Sequence, residues 1–174
     1  MGAMTERRWH LAQLNVGRMV APTSAPEVAD FMAALDPINA LADAAPGFVW
    51  RLQTEAGNAT DIHEFDDPLL LLNLSVWASL ESLRAFTYTT AHTDVLRRRR
   101  EWFERLAEAH LVLWWIPAGH IPTTAEAIER LELLRRDGPT PAAFTFRVPF
   151  DPGAAEPGDS VADAEFCWPE LAAV

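Results

Sequence analysis

The chain has 174 residues, of which 49% are hydrophobic and 22% are charged, and its formal net charge is −11 at pH 7. This length fits a single domain that buries a sizeable core without a disulfide or a structural metal. The single cysteine, Cys167, excludes a disulfide framework and a multi-cysteine zinc site. The acidic balance argues against nucleic acid as a partner, and no apolar run reaches the length that spans a bilayer. We therefore expect a soluble, cytoplasmic protein that neither binds nucleic acid nor enters a membrane.

The first half of the chain predicts three strands and one helix. Residues 9–17 alternate between two sets of side chains with a period of two, which indicates a strand. Apolar side chains then recur at helical spacing over residues 26–42, where Pro37 is expected to kink or divide the helix. Residues 48–53 and 69–77 predict two further strands, and the second is apolar enough to lie in the middle of a sheet.

The second half predicts two helices and two strands. Apolar residues at helical spacing, preceded by a possible cap at Ser79, predict one long helix that ends near Ala109. Residues 110–116 form a predicted fourth strand, residues 123–136 a third helix and residues 144–150 a short fifth strand. The order β-α-β-β-α-β-α-β begins with the split βαβ pattern of a ferredoxin-like sandwich. The predicted fold class is therefore α+β, a ferredoxin-like antiparallel sheet with helices on one face.

The composition divides the chain into three parts. Residues 1–8 are expected to be a tag scar and N-terminal lead-in, and residues 9–150 the single folded domain. Residues 151–174 contain six acidic residues and no basic ones, which predicts an acidic, flexible tail. Helices on one face would leave the other sheet face, which carries aromatic side chains, uncovered. A homodimer that closes two sheets into a dimeric α/β barrel would cover it.

The seven tryptophans are an unusually large share for a chain of this length. Trp114 and Trp115 are neighbours on a predicted strand and therefore point to opposite faces of the sheet. Trp50, Trp77 and one of that pair are candidates to line a flat aromatic pocket for a polycyclic or porphyrin-like molecule. The alternative for the same side chains is a hydrophobic dimer interface, where tryptophan is also enriched.

Two polar side chains are candidates for chemistry at such a pocket. Asn15 ends the first strand on the face of Gln13, where an amide can donate a hydrogen bond to a substrate carbonyl or to bound dioxygen. Helical spacing puts His92 on the stripe of Tyr88 and Val95, which suits a proton carrier or a haem ligand. The alternatives are an edge residue bonded to a neighbouring loop for Asn15 and a core histidine for His92.

The remaining charged residues have plainer alternatives. Arg51 lies in an apolar strand, so it either holds an anion in the pocket or forms an ion pair with Glu64, Asp66 or another acid. His120 either lies at the mouth of the pocket or supports the turn before the third helix. The four arginines at 97–100 point in all directions around their helix and are expected to form exposed ion pairs. We predict no metal site, and the sequence has no P-loop, dinucleotide fingerprint or cysteine nucleophile.

Six runs of the sequence resemble the bacterial family called domain of unknown function 3291. They are GFVWRLQTEAGNATDI (47–62), LSVW (74–77), FTYTTAH (86–92), RRRREWF (97–103), VLWWIPAGHIPT (112–123) and DGPTPAAFTF (137–146). The resemblance covers roughly residues 9–150, and the WW-PAGHIP run is its most specific piece. The family is similar in fold to the dimeric α/β-barrel superfamily of antibiotic-biosynthesis and haem-degrading monooxygenases, so the resemblance implies that fold here.

The resemblance also implies site residues and a class of function. Haem-degrading members of the superfamily use an asparagine on the first strand, a tryptophan at the end of the third strand and a histidine on the following helix. This chain has Asn15, Trp77 and His92 in those places. We expect a monooxygenase-like enzyme for an aromatic or polyketide-like small molecule, either without a cofactor or with haem; the alternative is a non-catalytic dimeric protein that binds a ligand or haem. The substrate-binding candidates are Trp50, Arg51, Tyr88, Trp114, Trp115 and His120.

Overall fold

A computed structural model describes residues 8–154, apart from residues 56, 61, 63, 64 and 89 and the side chains of residues 90–92 and 94. Residues 1–7 of the expected lead-in and most of the expected acidic tail therefore lie outside the described residues. None of the described helices is long and apolar enough to cross a membrane. The elements are β1 (Trp9–Arg18), α1 (Ala29–Asp43), β2 (Phe48–Arg51), β3 (Leu70–Trp77), α2 (Leu80–Thr87), α3 (Thr90–Trp102), β4 (Leu111–Pro117) and α4 (Thr124–Asp137).

The four strands form one antiparallel sheet in the order β2-β3-β1-β4. β1 lies inside the sheet because it pairs with β3 on one side and with β4 on the other, so that Leu14 is opposite both Leu74 and Val112. α1 connects β1 to β2, and α2 with α3 connects β3 to β4. This is the ferredoxin-like α+β arrangement, and the predicted fold class is confirmed.

Helices lie on both faces of the sheet. α1, α2 and α3 pack on the face that carries Leu11, Leu71 and Trp77, which we call the helix-covered face, and the opposite face is called the α4 face. α4 packs on the other face through Ala127 and Leu131, which follow each other at helical spacing. The structure thus corrects one detail of the prediction, because α4 buries within the chain the face that was expected to be uncovered. A homodimer is therefore not needed to cover this face.

The helices differ from the prediction at two places. The long helix predicted from Ser79 to Ala109 is two helices, which part after Thr87, and α3 already ends at Trp102. Beyond that point the backbone pairs with the end of β1, since Met19 and Phe103 form an isolated bridge, and strand pairing replaces helical hydrogen bonds there. Pro37 lies inside α1 without dividing it.

The predicted fifth strand at residues 144–150 is a single bridge followed by bends. Phe144 and Leu113 exchange two backbone hydrogen bonds of 2.8 Å, and the pairing stops there. Phe144 packs against Trp115, and the indole N–H of Trp115 donates to the carbonyl oxygen of Phe150 at 2.7 Å. The aromatic side chains of this segment therefore cover the edge of β4 by packing rather than by forming a further strand.

Candidate functional site

Neighbouring strands place the residues of the helix-covered face side by side in four rows. The outer two rows are apolar, and the inner two carry polar side chains on β1 and β3. The inner side chains of β1 and β3 do not ionise, so they offer hydrogen bonds without a net charge; Arg51 of β2 lies beside Ser75 at the edge of one inner row. We call Gln13, Asn15 and Asn73 the amide strip. The rows are Leu11, Trp77 and Trp115; Gln13, Ser75 and Leu113; Asn15, Asn73 and Leu111; and Gly17 with Leu71.

Three side chains of the first two rows are joined by hydrogen bonds. The indole Nε1 of Trp77 donates to Ser75 Oγ at 3.0 Å, and Ser75 Oγ donates to Gln13 Oε1 at 2.9 Å. Gln13 and Ser75 are each only 7% exposed, and Trp77 is 1% exposed. A buried hydrogen bond is not weakened by competing water, so this relay holds its three side chains in one arrangement.

The other two amides of the strip lie opposite each other. Asn15 and Asn73 are direct partners in the register of β1 and β3. Neither side-chain amide has a hydrogen-bond partner among the described residues, and Asn73 is exposed although it lies in an apolar strand. β2 ends at Arg51, which pairs with Ser75, so this neighbour of β3 stops short of Asn73. Polar groups enclosed in a fold are normally bonded, so the unbonded, half-buried Asn15 amide is free to bind a ligand or water, and the exposed Asn73 amide is open to the same partners.

Aromatic clusters bound the strip at both ends. At one end Trp77 stacks on Phe86 with ring centroids 5.1 Å apart, and Phe48 meets Trp77 edge-on at 5.4 Å. At the other end the ring of Phe103 lies so close to Gly17 that a Cβ there would be 2.8 Å from it. Six residues of β1 separate the two outer rows, roughly 20 Å along the strand. The uncharged amide strip between these two aromatic clusters suits a flat molecule that carries oxygen atoms.

The structure brings two of the three predicted catalytic residues to one face. Asn15 and Trp77 both lie on the helix-covered face, four residues of register apart. The backbone of His92 belongs to α3, which packs on the same face, but its side chain lies outside the description. Trp115 also lies on this face, beneath Phe144, and its N–H is already bonded.

Other predicted substrate-binding residues lie on the opposite face. Trp50 and Trp114 pack in the core between the sheet and α4, so Trp50 and Trp77 do not line one pocket. The indole of Trp114 donates to Glu126 Oε1 at 3.0 Å, and the other carboxylate oxygen is 2.7 Å from His120 Nε2. His120 therefore lies at the turn that leads into α4 and contacts its first turn.

Arg51 is engaged by the protein itself. Its Nε and Nη2 donate to the carboxylate of Asp43 in α1 at 2.8 and 3.1 Å, and its Nη1 donates to the carbonyl oxygen of Gly57 at 2.8 Å. Every nitrogen of the guanidinium is thereby used, which corresponds to the structural alternative. Tyr88 lies at the end of α2 and is 69% exposed.

The charged residues around this face fasten its elements together. Arg98 pairs with Asp30 at the start of α1 and with Glu101, and it stacks over the ring of Trp102. Its hydrogen bond holds the pKa of Glu101 below the ordinary value. The predicted exposed ion pairs on α3 thus include one that joins two helices. Within the described part of the chain, no group of three potential metal ligands is close enough to hold an ion. Asp61, His63 and Glu64, in the segment between β2 and β3, lie outside the described residues.

The end of β1 is held by a second set of charges. Arg18 donates to Asp67 at 2.6 Å and also bonds to Glu104. The backbone N–H of Leu69 donates to the same Asp67 carboxylate at 2.9 Å, and together with Arg18 it lowers the pKa of Asp67. These contacts join β1, the loop before β3 and the chain after α3 beside Phe103.

The residues that sequence reasoning missed are Asn73 and Ser75. The sequence does contain an indication of them, because polar side chains interrupt the apolar strand LLLLNLSVW at alternate positions that end at Trp77. A period of two puts all three on one face. That they share this face with Gln13 and Asn15 follows only from the pairing of β1 with β3.

Comparisons with known proteins give distant structural likenesses and one family. No curated protein matches the chain. A solved structure of SnoaB, a cofactor-independent oxygenase from Streptomyces nogalater, is similar with a TM-score of 0.43 and 14% identity, covering 64% of this chain and 95% of that one. A putative antibiotic biosynthesis monooxygenase from Chloroflexus aurantiacus has a TM-score of 0.41 and 17% identity, covering 66% and 97%. The family described as Domain of unknown function (DUF3291) matches residues 10–159, and the chain belongs to this family.

Proposed function

We propose that the protein is a monooxygenase-like enzyme that oxidises a flat aromatic or polyketide-like molecule at the amide strip. One observation carries this proposal. Three amides with free hydrogen-bonding groups lie between two aromatic clusters on the helix-covered face of the sheet. A structural core has no use for the buried Gln13 and half-buried Asn15 amides, because unbonded amide groups there reduce stability, and the exposed Asn73 lies beside them at the open edge. A ligand with oxygen atoms between aromatic rings would satisfy them.

The chemistry follows from the neutral donors. A substrate that reacts directly with dioxygen must first become electron-rich, as anthrone does when the methylene group opposite its ketone loses a proton and the charge is delocalised onto the ketone oxygen. Amide N–H groups aimed at the ketone oxygen stabilise the charge that develops there, an effect worth about 100–1000-fold in rate. We assign this role to Asn15 and Asn73. His92 is the proposed proton carrier, since an imidazole exchanges protons near neutral pH.

The described residues of the site do not fit haem. The inner rows supply amides, a hydroxyl and leucines, none of which is a usual axial ligand of haem iron. The cation next to the inner rows is Arg51, which pairs with Ser75, and its guanidinium is already bonded to Asp43 and Gly57 rather than free for a propionate. We therefore derive no step through haem and propose a reaction that needs no resident cofactor. A non-catalytic protein that binds a ligand, or haem through His92, is the second candidate, since the relay from Trp77 to Gln13 can orient a bound molecule without reacting with it.

The test is oxygen consumption with anthrone as the substrate. One anthrone and one dioxygen give one anthraquinone and one water, because the two methylene hydrogens leave as water and one oxygen atom enters the ring. We expect turnover above the uncatalysed rate and a loss of about 10–1000-fold in Asn15→Ala or Asn73→Ala. Gln53→Ala, which removes an exposed amide outside the strip, is the matched control and should keep full activity.

Two outcomes separate the candidate functions. Binding of anthrone without oxygen uptake above the blank would refute the enzyme and leave the binding protein. A Soret band that appears on titration with haemin and is lost in His92→Ala would favour haem binding by this chain. The homodimer also remains a proposal, and with α4 on the second face of the sheet it would have to use another surface.

A further inference from the structure

The direction of each hydrogen bond in the relay follows from its donors and from the orientation of the Gln13 amide. An indole N–H can only donate, so Ser75 Oγ accepts from Trp77. Gln13 Oε1 is the amide atom that lies 2.9 Å from Ser75 Oγ, and an amide oxygen can only accept, so the serine hydrogen points to it. Ser75 therefore holds the oxygen of the Gln13 amide, and Trp77 holds Ser75.

The consequence is a donor that faces away from the relay. With Oε1 held by Ser75, the Nε2 group of Gln13 has two hydrogens and no partner among the described residues. It is not enclosed either, since the fully buried and unbonded side-chain atoms of the described residues are His10 Nδ1 and Thr140 Oγ1. The amide nitrogen thus reaches accessible space, and Asn15 is the next residue along the same face of β1.

We propose that the Nε2 group of Gln13 donates a hydrogen bond to an acceptor on the bound molecule. Ser75 is the positioning residue, because it holds Gln13 Oε1 and so keeps Nε2 directed towards the ligand. The site thereby selects a carbonyl or phenolate oxygen over a plain aromatic ring at this position. This inference rests on the proposed function only in placing the ligand at the amide strip, and it does not require oxygenation.

The selection is measured with two soluble probes that share ring size and charge. Anthraquinone-2-sulfonate carries two ring carbonyls, and anthracene-2-sulfonate carries none. Tryptophan fluorescence quenching on the full-length protein gives the dissociation constant of each, and the ratio of the two is the readout. One added hydrogen bond changes affinity by up to about tenfold, so the native protein is expected to prefer the quinone by about that factor.

Three variants distinguish positioning from a merely structural role. Gln13→Met keeps the volume and removes the donor, and should lower the preference at least threefold; the preference that remains comes from Asn15 and Asn73. Ser75→Ala leaves Gln13 in place but free to turn, and should lower the preference at least threefold. Ser75→Thr keeps the hydroxyl and should restore the native ratio within about twofold. A structural role alone would change stability and leave the ratio unaltered.

Each result counts for or against the inference. An unchanged ratio in Gln13→Met or Ser75→Ala overturns it, and so does failure of the native protein to prefer the quinone. If anthrone is oxidised normally while the ratios do not move, the relay inference fails and the proposed function stands. If the ratios move as expected while no oxygen is consumed, the enzyme fails and the reading of an acceptor by Gln13 stands.

Discussion

Two amides of the strip should respond in opposite ways when they are made apolar. Asn15 is half-buried among apolar side chains, and its amide has no partner among the described residues. Full burial of a leucine side chain is worth about 1.5–3 kcal/mol, so a half-buried position in Asn15→Leu gains about 1 kcal/mol. For a chain of this length that gain corresponds to a rise in Tm of about 3 °C. Activity or ligand binding should be lost in the same variant, as expected where function is kept at the expense of stability.

The substitution Gln13→Met should lower stability, whereas Asn15→Leu should raise it. It removes the acceptor of the Ser75 hydroxyl, which is buried and then has no partner. An unsatisfied buried donor costs about 1–3 kcal/mol, and the thioether side chain recovers part of this by burying apolar surface. We expect a net loss of about 1 kcal/mol. Asn73→Leu, at an exposed position, is the control and should stay within about 0.5 kcal/mol of the native protein.

Urea unfolding followed by tryptophan fluorescence measures all three variants. The m-values should agree with that of the native protein, so that the midpoints report stability directly. A lower midpoint for Asn15→Leu would show that the amide has a structural partner and would refute the argument that it is kept for a ligand. An equal increase in the free energy of unfolding in Asn15→Leu and Gln13→Met would show that the hydrogen bonds of the relay do not contribute to stability.

Three further outcomes are expected. The Leu69 N–H and Arg18 lower the pKa of Asp67, so the contribution of this carboxylate to stability is present above an ordinary aspartate pKa of about 4 and is lost as the pH falls below it. In thermal melts between pH 6 and pH 3, the Tm of Asp67→Asn should therefore be less sensitive to acid than the Tm of the control Asp66→Asn. Deleting residues 155–174 should move Tm by less than about 5 °C, and a larger drop would show that this acidic segment packs on the domain. Light scattering at micromolar concentration should report a homodimer, and a monomer would refute that proposal.

The periodicity of side chains was a good guide to the strands and a poorer one to their pairing. β1 to β4 lie within a few residues of their predicted bounds, because alternating burial is a local property of the chain. Residues 144–150 alternate in the same way, yet they form one bridge and then pack aromatic rings over Trp115. Alternation predicts which side chains are buried, and either pairing or packing can bury them.

The candidate site depended on register, which a single sequence does not contain. Phe48 pairs with Trp77 and Trp50 pairs with Val76, so the register shifts between Phe48 and Trp50. This bulge turns Trp50 to the face opposite Trp77. Without that extra residue Trp50 would have joined Trp77, as a period of two predicts. Pairing also places Asn73 opposite Asn15, which neither strand shows by itself.

The treatment of polar groups on the two faces argues that the amide strip exists for a ligand. On the α4 face, Glu126 accepts from Trp114, contacts His120 and lies in a helix capped by Thr123, so its polar atoms are used. On the helix-covered face, Gln13 is bonded through its oxygen alone and Asn15 has no described partner. The polar groups around Glu126 are thus bonded within the protein. His10 Nδ1 and Thr140 Oγ1 are also unbonded, but both atoms are fully enclosed, so a ligand cannot reach them. The unbonded amide groups of the strip, in contrast, are accessible. Unpaired amides that remain accessible on an otherwise apolar face are what a binding site requires and what a structural core avoids.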